Sequence, residues 1–156
     1  MKNKPVSYVE TGHKIWKYRQ TEYHEFKFKG LSQSDILDQD AYNKISKYIT
    51  IDGDRFFTRS GYTINDATKF PDFDWMMRRA VWGHDALYQL MELGVISWDF
   101  RKQADELLRD LAHDDYNILH PANNRIHKMI IERRAIFWSR LVYNGVRYGY
   151  PIAKKL

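Results

Sequence analysis

The rhythm of apolar positions changes along this chain. Over residues 1–30 polar and aromatic residues alternate loosely (Tyr8, Ile15, Trp16, Tyr18, Tyr23, Phe26, Phe28), which predicts extended chain or short strands ending at Gly30. Ser34 is placed to cap a short helix running to about Lys47, with Ile36, Leu37, Ala41 and Ile45 as its sparse apolar positions. Two β-rich runs follow, Tyr48-Ile49-Thr50-Ile51 and Arg55-Phe56-Phe57-Thr58, around the turn pair Asp52-Gly53, and they predict a hairpin. Ser60-Gly61 breaks the second strand, and residues 62–73 read as a loop holding Asn65-Asp66 and Pro71.

Beyond this loop the period lengthens to that of a helix. Asp72 or Asp74 can cap a helix that ends near Leu93 before Gly94. Met77, Ala80, Val81, His84, Leu87, Tyr88 and Met91 form its stripe, and Met76, Trp82 and Leu90 add apolar residues elsewhere, so burial on most sides is expected. Ser97 caps the next helix, striped by Phe100, Ala104, Leu107, Leu108 and Leu111, and the short link at 94–96 predicts an antiparallel pair. Residues 113–124 read as a polar connection. A last helix is expected from Arg125 to Tyr148, its inner face marked by Ile126, Ile130, Phe137, Leu141 and Tyr148, with Gly149 and Pro151 stopping it. The resulting class is α+β, mainly α: an N-terminal β-hairpin region, then a three-helix core made of an antiparallel pair and a long C-terminal helix.

At 156 residues the chain is expected to be one domain, long enough to bury a core without a staple. Cysteine is absent, which removes disulfide scaffolds and thiol catalysis. No apolar run follows Met1-Lys2-Asn3-Lys4-Pro5 and no stretch is long enough to span a bilayer, so neither a signal peptide nor a membrane anchor is expected. The charge is uneven. Of the net +5, residues 125–156 hold eight Lys/Arg against one Glu, which is +7 and leaves the rest near −2. Arg125, Lys128, Arg133, Arg134, Arg140 and Arg147 make a candidate basic surface for nucleic acid, anionic membrane or an acidic partner; a solvated helix face is the plainer account.

The candidate chemistry sits in Ala80-Val81-Trp82-Gly83-His84-Asp85-Ala86-Leu87-Tyr88. His84 and Tyr88, four apart, share a face, while Asp85 points about a quarter-turn away. A neutral imidazole on an apolar face can act as a general base, given a partner that fixes its tautomer. Asp105, on the antiparallel helix, is placed to be that partner. Asp85 could hold a hard cation, with Asp66, Asn65 and loop carbonyls completing an oxygen cage. A core histidine satisfied by one carboxylate remains the plainer account. His113, His120 and His127 recur every seven residues, but Pro121 interrupts any helix carrying all three, and His113-Asp114 reads as a helix-end feature. No Gly-rich phosphate loop, nucleophile elbow or H-E-x-x-H is present.

Two resemblances meet at these residues. Ala80 to Tyr88 with its His84-Asp85, then Ala104-Asp105, then Val146-Arg147-Tyr148-Gly149, resemble a domain-of-unknown-function family of tailed phages and prophages with a T-D-L-A-S-V-P-like loop and an A-x-x-H-D-x-L-Y helix. Of that loop only Asp66 and Pro71 match well. The resemblance spans roughly residues 48–150 and leaves 1–45 as an N-terminal extension. The second resemblance is to phospholipase A2, above all its short prokaryotic form, through H-D-x-x-Y and an Asp 21 residues after the His. It implies His84 as the base, Asp105 as its orienter, Tyr88 beside them, and Asp85 as a calcium ligand with Asp66 and Asn65 near the calcium loop. The disulfides and glycine-rich loop of those enzymes are missing here.

Two functions follow as expectations. One is a phage-encoded, virion-associated structural or assembly protein, in the host cytoplasm or the particle, docking on other phage proteins. The other is a calcium-dependent, phospholipase A2-like lipid-ester hydrolase. The hydrolase requires His84 to reach solvent; the structural role predicts a sealed His84 and an exposed patch of Trp16, Trp98 and Trp138. Phosphodiester hydrolysis is a third, weaker alternative, since no nuclease motif supports it.

Overall fold

A computed structural model describes residues 8–10, 18–64 and 74–153. It has the expected class, small β elements followed by helices. The strands are β1 (Tyr8–Glu10), β2 (Tyr18–Gln20), β3 (His24–Lys27), β4 (Ile49–Asp52), β5 (Arg55–Thr58) and β6 (Thr63–Ile64); the helices are α1 (Gln39–Ile45), α2 (Asp74–Glu92), α3 (Arg101–Leu119) and α4 (Arg125–Ala153). Two antiparallel three-stranded sheets form, ordered β1-β2-β6 and β3-β5-β4. The buried Gln20 joins them, its Nε2 donating to the Thr58 carbonyl at 3.1 Å.

The expected hairpin is β4–β5, with Ile51 opposite Phe56 and Ile49 opposite Thr58. Its two-residue turn is Gly53-Asp54 instead of Asp52-Gly53; Gly53 takes φ 59°, open to glycine at little cost. Strand alternation sends Ile49, Ile51 and Phe56 into the core, all at 0% exposure, in the same buried cluster as the α2 side chains Trp82, Leu87, Leu90 and Met91. The helix expected from Ser34 is a 3-10 turn (Gln33–Asp35) followed by α1, whose cap is Asp38 accepting from Ala41 N–H at 2.9 Å. Asp35 bonds back to the Ser32 N–H at 2.7 Å, closing the first turn and delaying the helix.

Helix α2 is buried on most sides, as its pattern implies. Its central Gly83 is a packing device: a Cβ there would lie 2.8 Å from the Phe26 ring, which stacks on Phe56 at 4.9 Å. Gly94, at φ 70°, ends the following turn, and Ser97 caps a 3-10 turn (Trp98–Phe100) that feeds α3. Contacts of α2 with α3 pair 84 with 105 and 79 with 115; those of α3 with α4 pair 113 with 132 and 101 with 147. Both neighbours are therefore antiparallel, with α3 in the middle.

Three expectations are corrected. Residues 113–119 belong to α3, so the α3–α4 connection is only 120–124 and His113 lies mid-helix, its Nε2 3.0 Å from Glu132 Oε1. Helix α4 continues through Gly149 and Pro151 to Ala153, for a proline so near the end costs a single backbone bond. Its inner face is also different. Ile131, Ala135, Ser139 and Val142 are buried, whereas Ile126, Ile130, Phe137, Leu141 and Tyr148 are exposed. Small residues such as Ala135 and Ser139 let α4 approach α3 closely, and this selects the face. Among the described residues no helix is long and apolar enough to cross a membrane.

Candidate functional site

The site forms where α2, α3 and α4 meet. Helical spacing stacks His84 and Tyr88 one turn apart, with ring centroids 4.2 Å apart. The antiparallel α3 then brings Asp105, fully buried, against both. Tyr88 donates its hydroxyl to Asp105 Oδ1 at 2.7 Å, and His84 Nε2 lies 3.2 Å from the same oxygen. On the other side of the ring, His84 Nδ1 is 3.4 Å from Asp85 Oδ1, whose side chain is 35% exposed. The imidazole thus bridges a sealed carboxylate and one that meets solvent.

Burial is the largest influence on His84 and pulls its pKa down, but Asp105 and Asp85 together outweigh it and hold the pKa above the ordinary 6.5. Asp105 is the mirror case. Burial pushes its pKa up, yet His84, Tyr88 and Arg147 together bring it below 3.8. Burial first, then the neighbouring carboxylate, raise the pKa of Tyr88. The favoured forms are an anionic Asp105, a neutral tyrosine and an imidazole whose charged state is stabilised.

Two arginines complete the network. Arg101 Nε donates to the Tyr88 hydroxyl at 3.1 Å and lies 3.9 Å from Asp105 Oδ2, while its Nη2 donates to the Arg147 carbonyl at 2.9 Å. Arg147 Nη1 lies 3.4 Å from Asp105 Oδ2. Arg147 therefore belongs to the site and not to a free basic surface. Arg125, Lys128, Arg133, Arg134 and Arg140 are exposed. Arg101 escapes a reading of the sequence centred on the His-Asp pair, although its position four residues before Asp105 is a usable signal.

A second polar cluster, also unanticipated, lies one turn earlier on α2. Arg79, 7% exposed, sets its Nη2 2.8 Å from Asp115 Oδ1. Burial, reinforced by Arg79, pushes His24 down to about 4. Burial lifts Asp115 to about 6 despite Arg79. No ligand role is apparent for this cluster; it anchors α2 to α3 beneath β3.

Asn65 and Asp66, expected beside Asp85 as calcium ligands, lie outside the described residues, as do Trp16 and Asp72. Among the described residues no group of three His, Cys, Asp or Glu could hold a metal ion. Asp85 fits a single oxygen ligand and does not by itself make a calcium cage. His113, His120 and His127 bond separately, to Glu132, to the Tyr116 carbonyl and to Asn123 N–H, and form no metal centre. Of the tryptophans, Trp98 is 37% exposed and packs edge-on against Tyr88 at 5.8 Å, while Trp138 is half-buried.

Comparison with protein-family models, curated proteins and solved structures finds no match to this chain.

Proposed function

We propose that the chain is a hydrolase of the phospholipase A2-like type, acting on a lipid ester with His84 as its base. The observation that carries this reading is the opposed use of the two ring nitrogens. Nε2 is committed to the sealed Asp105, so Nδ1 is the nitrogen left on the side of the half-exposed Asp85. Water held there would give a proton to Nδ1 as its oxygen attacks the ester carbonyl; Asp105 would stabilise the imidazolium, which returns the proton to the departing alkoxide. Acid and alcohol are the products, and the histidine ends as it began. Tyr88 and Arg101 keep Asp105 in place and do not touch substrate. Asp85 would be one ligand of a calcium ion, with its other donors expected from Asp66, Asn65 and carbonyls of the 62–70 loop; when bound it would polarise the carbonyl, and no step above depends on it.

The test is release of fatty acid from phosphatidylglycerol in mixed micelles, with and without millimolar calcium, by wild type, His84→Ala and Asp85→Asn. Turnover that falls at least about a hundredfold in His84→Ala supports the base assignment. Its pH profile should rise only above pH 6.5, because the base form appears as pH passes the raised pKa of His84. Absence of turnover in correctly folded wild type overturns it. Calorimetric calcium binding lost in Asp85→Asn would support the cation ligand.

The 7% exposure of His84 does not meet the solvent access that the hydrolase requires, and it favours a second reading. A histidine so enclosed, within a network tying three helices together, suits a virion-associated structural or assembly protein docking on other phage proteins. Detection of the chain in purified particles, together with a His84→Ala variant that loses stability and had no activity to lose, would favour this role.

A further inference from the structure

Arg147 is held at both ends. Its guanidinium Nη1 lies 3.4 Å from Asp105 Oδ2, and its backbone carbonyl accepts from Arg101 Nη2 at 2.9 Å. The second of these bonds has a cause in the sequence. Inside an α-helix the carbonyl of each residue accepts from the N–H four residues later. Four residues after Arg147 in α4 stands Pro151, which has no N–H to give. The carbonyl that the proline leaves without its helical donor is the one that Arg101 takes. The neighbouring Val146 carbonyl lies farther from the same nitrogen, at 3.4 Å.

The freed carbonyl also decides where Arg101 does not go. Arg101 and Asp105 are four apart on α3, the spacing at which an arginine and a carboxylate pair on one helix face. Left to itself, the guanidinium would close on this fully buried carboxylate in a short, forked pair. Instead Arg101 Nε stays 3.9 Å from Asp105 Oδ2 and donates to the Tyr88 hydroxyl at 3.1 Å, while Nη2 crosses to α4. Asp105 Oδ2 is thereby left for Arg147, which arrives from α4, and Oδ1 for Tyr88 and His84. We propose that Pro151 is a positioning residue of this site: by withholding an N–H it draws Arg101 onto the Arg147 carbonyl, and so assigns Arg147, in place of Arg101, to Asp105. A residue near the end of α4 thus sets which cation, on which helix, faces the carboxylate behind His84.

The test is Pro151→Ala, which returns the N–H. In a crystal structure of this variant Arg101 should close on Asp105 Oδ2 to about 3 Å, and the Arg147 guanidinium should turn to solvent. Urea unfolding checks the same exchange in solution through a double-mutant cycle. Arg147→Met should raise the unfolding constant at least about threefold more in the wild-type background than in Pro151→Ala, where the pair it removes has already been given up. The α-hydroxy analogue of alanine, installed at position 151 by nonsense suppression, separates the missing N–H from the proline ring. Its ester also lacks the N–H, so it should keep Arg147 on Asp105 and restore the wild-type cost of Arg147→Met. The proposal is overturned if Arg147→Met costs the same in both backgrounds, or if Arg147 stays within about 3.5 Å of Asp105 in Pro151→Ala. It is also overturned if the ester behaves as alanine does. None of these measurements reads activity or calcium, so the outcome is the same question whether His84 is a base or a structural histidine.

Discussion

Asp105→Asn isolates the group on which the site turns. The amide has the same size as the carboxylate, so packing is kept and the charge is removed. In the wild type, Oδ1 accepts from Tyr88 at 2.7 Å and faces His84 Nε2 at 3.2 Å, while Oδ2 faces Arg147 at 3.4 Å and Arg101 at 3.9 Å. An asparagine that keeps its oxygen toward Tyr88 and His84 points its NH2 at two guanidinium groups. Breaking a buried charge pair costs about 3–5 kcal/mol; Arg101 and Arg147 have side chains 22% and 32% exposed, so water recovers part of this and a loss of about 2–3 kcal/mol is expected. The loss depends on pH. His84 has a folded pKa raised above 6.5, so its contribution is complete below pH 6.5 and fades as pH rises through the folded value. Asp105 has a folded pKa lowered below 3.8, so its contribution is present above pH 3.8 and fades as pH falls through the folded value. Urea unfolding should therefore show the largest deficit near pH 5 and a smaller one at pH 8. Titration of the His84 ring by NMR gives the sharper check. With an amide at 105, burial is opposed by Asp85 alone, and the pKa of His84 should fall below its wild-type value. An unchanged His84 titration in the variant would refute the account of the site.

Three further outcomes are expected. Gly83→Ala should lower stability by about 1–2 kcal/mol in thermal melts, although alanine favours helices by nearly 1 kcal/mol, because its methyl would meet the stacked Phe26 ring at 2.8 Å; a higher Tm would show that the ring yields. Tyr88→Phe should cost about 1–2 kcal/mol in urea unfolding, since it removes the 2.7 Å bond to Asp105 and the acceptor for Arg101, and a neutral result would mean that water replaces the hydroxyl. His24→Asn should flatten the acid limb. Burial, then Arg79, depress the folded pKa of His24 to about 4, so its contribution is present above pH 6.5 and lost as pH falls toward 4; equal acid sensitivity in the variant would contradict this.

Much of this architecture was legible in local patterns. The β4–β5 hairpin follows from two β-rich runs around a glycine, and the antiparallel α2–α3 pair from two stripes joined by a short link. That pair makes the His84–Asp105 contact readable from residues 21 apart. What failed were choices that only the tertiary structure makes. Helix α4 has two apolar faces, and periodicity alone could not say that the one with Ala135 and Ser139 would go inward, because close approach to α3 decides it. The polar run His113-Asp114-Asp115 looked like a connection, yet each residue finds a partner across α3: His113 with Glu132, Asp114 and Asp115 near Arg79. Arg101 and Arg147 were hard to assign to the site because surface arginines and network arginines look alike in one dimension, the four-residue spacing from Arg101 to Asp105 being the one local signal.

Arg147 makes α4 a wall of the site. It extends from α4 to Asp105 at 3.4 Å, and Arg101 holds its backbone carbonyl at 2.9 Å. A shift of α4 along its axis would change the distance from that guanidinium to Asp105, and with it the balance of charge that His84 meets. By linkage, protonation of His84 would in turn bias the seating of the helix.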